Sequence, residues 1–150
     1  MYKYVFVGGC DTAASDDQAV LDAAPKDTTW VTTDEGWIGP VSKTAGPVAN
    51  SPIRSCFEHS AEGALYAATW AYIQVNSTPD SYMPTVIGPG ADSARESRTK
   101  KSTTTVPVVG YRYISYTPER AAIRILIKLP SGTYRSTDVV MEWHDGDWHY

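Results

Sequence analysis

The clearest pattern of apolar and polar positions runs from Gly110 to Tyr150, where runs rich in Tyr, Ile, Val and Trp are divided by Pro118, Pro130-Ser131-Gly132 and Asp145-Gly146. This pattern predicts a twisted antiparallel meander, packed on one side and wet on the other. In its central strand Ala121, Ile123, Ile125, Ile127 and Leu129 share one face, while Arg120, Ala122, Arg124, Leu126 and Lys128 share the other. If Asp145-Gly146 is a two-residue type I′ turn, His144 opposes Asp147, Trp143 opposes Trp148 and Glu142 opposes His149. The two Trp rings then form an aromatic clasp, with Glu142, His144, Asp147 and His149 together on its polar back.

Ahead of the meander the period changes. Ala61, Ala64, Leu65, Ala68, Ala71, Tyr72 and Val75 follow helical spacing and predict a helix over Ala61 to Val75, opened by Ser60 as N-cap. Its alanines allow close approach to a partner surface, for which a concave sheet is the natural candidate. A second, shorter helix is expected from Ser93, where Ser93-Ala94-Arg95-Glu96 has capping-box spacing. Thr28 to Thr33 reads as a strand and Trp37 to Val41 as a short second piece. Lys43 to Ser55, rich in Pro and Gly, reads as chain laid over a surface. Asp11 to Asp27 is polar and Ala-rich without a period, and reads as an extended arm.

Tyr2 to Val7 is apolar, but shorter than the 7–15 apolar residues of a signal segment or the roughly 20 of a membrane span, so it reads as a strand. No export signal, anchor or direct membrane insertion is expected from it. With 150 residues and 42% hydrophobic content, the chain is expected to form one domain with a trailing arm. Residues 1–50 are read as the arm with short strands, and 51–150 as the domain.

Charge narrows the choice of partners. The formal net charge is −4, and seven of the seventeen acids lie between Asp11 and Glu35, against the single base Lys26. From Ser51 onward ten bases balance ten acids. Affinity for phosphate backbones comes from Lys and Arg releasing counterions, so nucleic acid is not an expected partner. The small basic run Arg95, Arg98, Lys100 and Lys101 reads as a solvated loop.

Candidate chemistry is sparse. Two His with two carboxylates, in Glu142, His144, Asp147 and His149, have the donor types of a divalent-metal site. Hairpin ends are poor templates for rigid coordination, and cross-strand charge pairing is the reading adopted. His59 beside Ser60 reads as helix-entry packing. Gly63 lacks the Gly-x-Ser-x-Gly context of a nucleophile elbow, Gly88-Pro89-Gly90 has no phosphate-loop continuation, and Asn76-Ser77-Thr78 reads as a coincidental glycosylation sequon. The inward set of the central strand is aliphatic throughout, so no enzyme, catalytic residue, metal or cofactor is expected.

A capped helix, a loose middle and a long meander ending in Trp-x-x-Gly-Asp-Trp together resemble the nuclear transport factor 2-like cone. This implies an α+β fold in which one long N-terminal helix packs on a curved antiparallel sheet, preceded by the extended arm. Residues 56–68 and Gly110 to Trp148 resemble an actinobacterial and phage-borne family from conjugative elements and prophages. Ala61 stands where that family has Pro, and Tyr111 and Tyr113 where it has other aromatics. The family is similar to an extracytoplasmic assembly component of type IV secretion machines.

The resemblance implies a non-catalytic interaction or assembly module, in a phage virion or a conjugation scaffold, with protein partners or self-association and an extracytoplasmic or virion-associated location. Cys10 and Cys56 are the two cysteines of the chain. A disulfide between them would staple the arm to the core, closing a loop worth roughly 4 kcal/mol in the chain-entropy model. The alternative is two reduced thiols. A small-ligand binder, with an open pocket and a few convergent polar groups, is the second functional expectation, and an enzyme with an acid or base in that pocket is the third.

Overall fold

Helix α1, Ala61–Ser77, is the element around which the rest is arranged. The structure, a computed structural model, describes Cys10 and residues 17–98, 100, 102 and 104–150. The strand expected at Tyr2 to Val7 lies outside these residues. Ser60 has extended backbone, and its hydroxyl accepts from the Gly63 N–H at 3.0 Å, satisfying one of the free donors of the first turn. Glu62 adds negative charge where the helix dipole favours it. A helical turn α2, Pro79–Tyr82, a 3-10 turn Met83–Thr85 and α3, Ala91–Ser97, follow. α3 has Gly90, in the left-handed region, as its N-cap, three residues ahead of the expected capping box at Ser93.

Among the described residues, two strands precede the helix. β1, Thr29–Thr32, pairs antiparallel with β2, Ile38–Val41. Four follow it, β3 Val108–Thr117, β4 Arg120–Lys128, β5 Tyr134–His144 and β6 Asp147–His149, in a sheet of order β3-β4-β5-β6. Along β4 the alternation reads as expected: Ala121, Ile123, Ile125 and Ile127 are buried, while Arg120, Arg124, Leu126 and Lys128 are exposed. The buried set shares one core with Ala64, Ala68 and Ala71 of α1 and with Val139, Met141 and Trp148.

The α+β cone of nuclear transport factor 2 type is not the architecture of this chain. Among the described residues the fold is mainly β, with six strands in two antiparallel sheets and three helices of 17, 4 and 7 residues. Among the described residues no long N-terminal helix leads into a sheet. The physical reason lies in residues 29–41, which form a sheet of their own ahead of α1. That sheet and the following loop cover the helix surface that the meander leaves free. Fourteen of the seventeen α1 residues are therefore buried, where the spacing had suggested one stripe. A helix that small and apolar residues surround on nearly all sides is built to be enclosed.

The small sheet sits close to α1 because Gly39 has no side chain. A Cβ there would fall 2.4 Å from the Trp70 ring, and Trp70 Nε1 donates to the Pro40 carbonyl at 2.6 Å. Gly39→Val should therefore push the small sheet off the helix and lower stability by about 1–3 kcal/mol. Urea unfolding followed by Trp fluorescence measures this, and an unchanged midpoint would show that the contact does not hold the sheet.

Candidate functional site

Cys10, Cys56, His59, Trp143, Asp147 and Trp148, all singled out from the sequence, meet at the entrance of α1. Cys10 and Cys56 form a disulfide, with Cα atoms 5.2 Å apart. Cys56 takes φ +67°, a left-handed conformation uncommon outside glycine. The Asp147 carboxylate fixes it there, accepting from the N–H groups of Cys56 at 2.8 Å, Phe57 at 3.0 Å and Trp148 at 2.9 Å. Burial pushes the Asp147 carboxyl above the ordinary aspartate range, and the three N–H groups pull it the other way. Gly63 completes the entrance, since a Cβ there would lie 1.9 Å from the Glu58 carbonyl.

The hairpin register is the one the type I′ turn implied: Glu142 pairs with His149, Trp143 with Trp148 and His144 with Asp147. Asp145 and Gly146 both have positive φ. The Trp143 and Trp148 rings meet edge to face with centroids 5.5 Å apart. His59 stacks flat on Trp143 at 3.8 Å, its Nε2 donates to the Pro118 carbonyl at 2.6 Å, and Trp148 Nε1 donates to the Glu58 carbonyl at 3.0 Å. The clasp thus grips Glu58 and His59, just ahead of the helix.

The polar back of the hairpin is divided among other partners. Asp147, 7% exposed, turns inward to the backbone instead of sharing a wet face, because the chain at Cys56 and Phe57 runs along the β6 edge and offers free donors. Glu142 lies 3.6 Å from Arg120, and His144 lies 3.2 Å from Asp145. His149 Nδ1 donates to the Thr85 carbonyl at 3.0 Å. Among the described residues, the ligand-type atoms that converge within 4.8 Å are those of Cys10, Cys56 and Asp147, two of which are joined in the disulfide.

A feature that the motifs did not point to lies on the other flank of α1. A cleft of about 650 Å³ opens between the arm at residues 20–28, the small sheet, Leu65, Tyr66 and Thr69 of α1, and residues 108–113 of β3. Its walls are mostly apolar. Trp30 and Val20 remain 55% and 50% exposed, and Val109 is 49% exposed. β3 is the edge of its sheet, and apart from β4 no strand or loop among the described residues pairs with its backbone. Two bulges, at Val109 and Ile114, interrupt its register with β4 and throw both side chains outward.

Tyrosines hold the arm across the cleft. The Tyr111 hydroxyl donates to the Ala23 carbonyl and that of Tyr116 to the Gln18 side chain, while Thr28 and Tyr66 share a hydroxyl pair. Tyr113 donates to the Ala61 carbonyl at 2.5 Å. Burial raises all four phenols, most plainly Tyr113, with Tyr116 pushed up to about 12. Glu62 is raised as well, by burial first and then by Glu58, with Asp27 and Asp17 adding to it. The arm's acids thus gather beside the cleft. That crowding of acids was the sequence signal for this site, together with the Tyr-x-Tyr alternation of β3.

The family model described as a domain of unknown function (DUF8175) matches residues 7–150, and the chain belongs to that family. No curated protein and no solved structure matches it. The disulfide is compatible with an extracellular protein, because such bonds persist in oxidising compartments. Among the described residues no helix is long and apolar enough to cross a membrane.

Two predictions follow from the side-chain chemistry at these sites. Asp147→Ala strands three buried N–H groups and should cost roughly 3 kcal/mol, read from denaturant midpoints. A loss below a few tenths would show that the Cys56 turn holds without the carboxylate. The tyrosines set an alkaline limit. Their folded values lie above the ordinary value of about 10, so the stability they contribute is complete below that pH and is lost as pH rises toward about 12, where Tyr116 titrates. Phenolate absorbance and circular dichroism should therefore change together in this window. Ionisation of all tyrosines near pH 10 with the fold intact would contradict it.

Proposed function

We propose that this chain is a non-catalytic interaction and assembly module that works outside the cytoplasm, docking a protein partner through the cleft beside β3. The observation that carries the reading is the coincidence of an open apolar cleft with a strand edge that is unpaired among the described residues. Exposed Trp30, Val20 and Val109 cluster where backbone donors and acceptors are also available, and edge strands invite a further strand. Aromatic residues are favoured in the cores of such interfaces. The tyrosines in the cleft donate hydrogen bonds to main-chain carbonyls, a role that suits holding polypeptide.

The likeness of residues 56–68 and 110–148 to proteins of conjugative elements and prophages supports placing the module in a phage particle or a conjugation machine. The disulfide, which ties the arm to the helix entrance, suits work in an oxidising setting. A second reading, a small-ligand binder, draws on one observation. The hydroxyls of Thr28 and Tyr66 pair at an apolar cleft of a size that small ligands fill.

A photo-crosslinking side chain placed at Val109, with a control at the exposed Tyr134 of β5, tests the choice in material assembled in its natural source. A discrete protein adduct from position 109, absent from position 134, is the expected result. Protein that yields no adduct at 109 but retains a small molecule in native mass spectrometry would overturn the docking reading in favour of the second.

A further inference from the structure

We infer that the partner segment is short, extended and basic, with alternating apolar side chains, and that it adds as a strand along Gly110–Tyr113 of β3. This rests on reading the cleft as a protein-docking surface. Three observations carry it.

The first is the geometry of the edge. The bulges at Val109 and Ile114 bracket one regular stretch, Gly110 to Tyr113, whose outer backbone is unpaired among the described residues. A strand ladder beyond either bulge would lose register, so the segment is limited to a few residues. The bulged side chain of Val109 and the nearby Trp30 offer apolar contact to alternate positions of an incoming strand.

The second is the way the cleft already treats polypeptide. The arm crosses it without a backbone ladder, anchored through the Tyr111 hydroxyl at Ala23 and the Tyr116 hydroxyl at Gln18. These bonds leave the β3 backbone itself available, so an added strand need not displace the arm.

The third is charge. Asp22 and the cation Arg112 line the cleft, and Asp17, Asp27 and Glu58 crowd Glu62 near its arm side. An acidic segment would meet like charge along the arm, whereas Lys or Arg on the outward positions of an incoming strand would meet opposite charge. Such complementarity selects partners and speeds encounter more than it adds to affinity.

The test uses three short synthetic peptides of equal length, alternating Val with Lys, Val with Glu and Val with Ser, and a backbone N-methylated form of the Val/Lys peptide. Binding to the full nitrogen-labelled chain is read from amide chemical shifts. The Val/Lys peptide should shift the amides of residues 110–113, weaken as salt rises, and bind roughly threefold to tenfold more weakly to the Asp22→Asn, Asp27→Asn double variant. Both aspartates are exposed, so that variant keeps the fold. Equal or tighter binding of the Val/Glu peptide at the same amides overturns the basic partner while the docking reading stands. Undiminished binding of the N-methylated peptide overturns strand addition. If none of the peptides shifts residues 110–113, the docking reading falls with the inference.

Discussion

The carboxylate of Asp147 is the contact on which the rest of this molecule depends. It belongs to the last strand, yet two of its three acceptor bonds reach the backbone of Cys56 and Phe57, about ninety residues earlier in the chain. Holding that backbone keeps Cys56 in a left-handed turn, which aims its sulfur at Cys10 and starts the path into the Ser60 cap. The hairpin, the helix entrance and the N-terminal arm are therefore one mechanical unit. Closing a loop of this length stabilises the native state mainly by restricting the unfolded chain, and the carboxylate supplies local order that the covalent bond alone does not.

From that anchor the two-sided burial of α1 follows. The meander takes one side of the helix and the small sheet with its following loop takes the other, and both need to come near the backbone. Alanines, Gly63 and Gly39 provide the closeness; Trp70 and Tyr66 fill the space that remains. The arm then has a place to lie, along the β3 flank, and the cleft is the space between arm, small sheet and strand edge. It is a consequence of how the helix is enclosed rather than a separate pocket cut into a finished core.

How much of this could be read from the sequence depends on which surface each segment meets. β4 was legible because one of its faces is buried and the other wet, so Ile123, Ile125 and Ile127 alternate with charged residues. The terminal hairpin was legible because Asp145-Gly146 selects its own turn, which fixes the Trp143–Trp148 pair. The helix was legible in extent but not in environment: Ala positions satisfy a stripe and an enclosed helix equally well, and this ambiguity led to a one-sided α+β cone instead of a mainly β fold with a helix between two sheets. β1 and β2 are four residues each, too short to declare a separate sheet by periodicity. Asp147 was placed with Glu142, His144 and His149 by register, and only the path of residues 56–57 along the β6 edge shows that it turns inward. The cleft was the least legible feature, because residues 20–28, 30, 66 and 108–113 converge without any motif; the acidity of the arm was visible, but not what it faces.

The arm's acidity has a second physical consequence. An apolar strand edge left open is a template for indiscriminate pairing, including with copies of the same chain. Here the regular stretch is short, bulges close both of its ends, and carboxylates stand beside it. Each device weakens pairing with a long, flat or acidic strand, and the chain itself carries a net charge of −4. The same devices leave a short basic strand nearly unhindered, since it fits between the bulges and gains from the carboxylates. In the proposed docking mode, protection against the wrong partner and preference for the right one would therefore come from the same residues, as specificity built on repulsion requires. The arm tied down by Cys10–Cys56 walls the cleft, and its carboxylates would set the sign of charge that a docking strand carries.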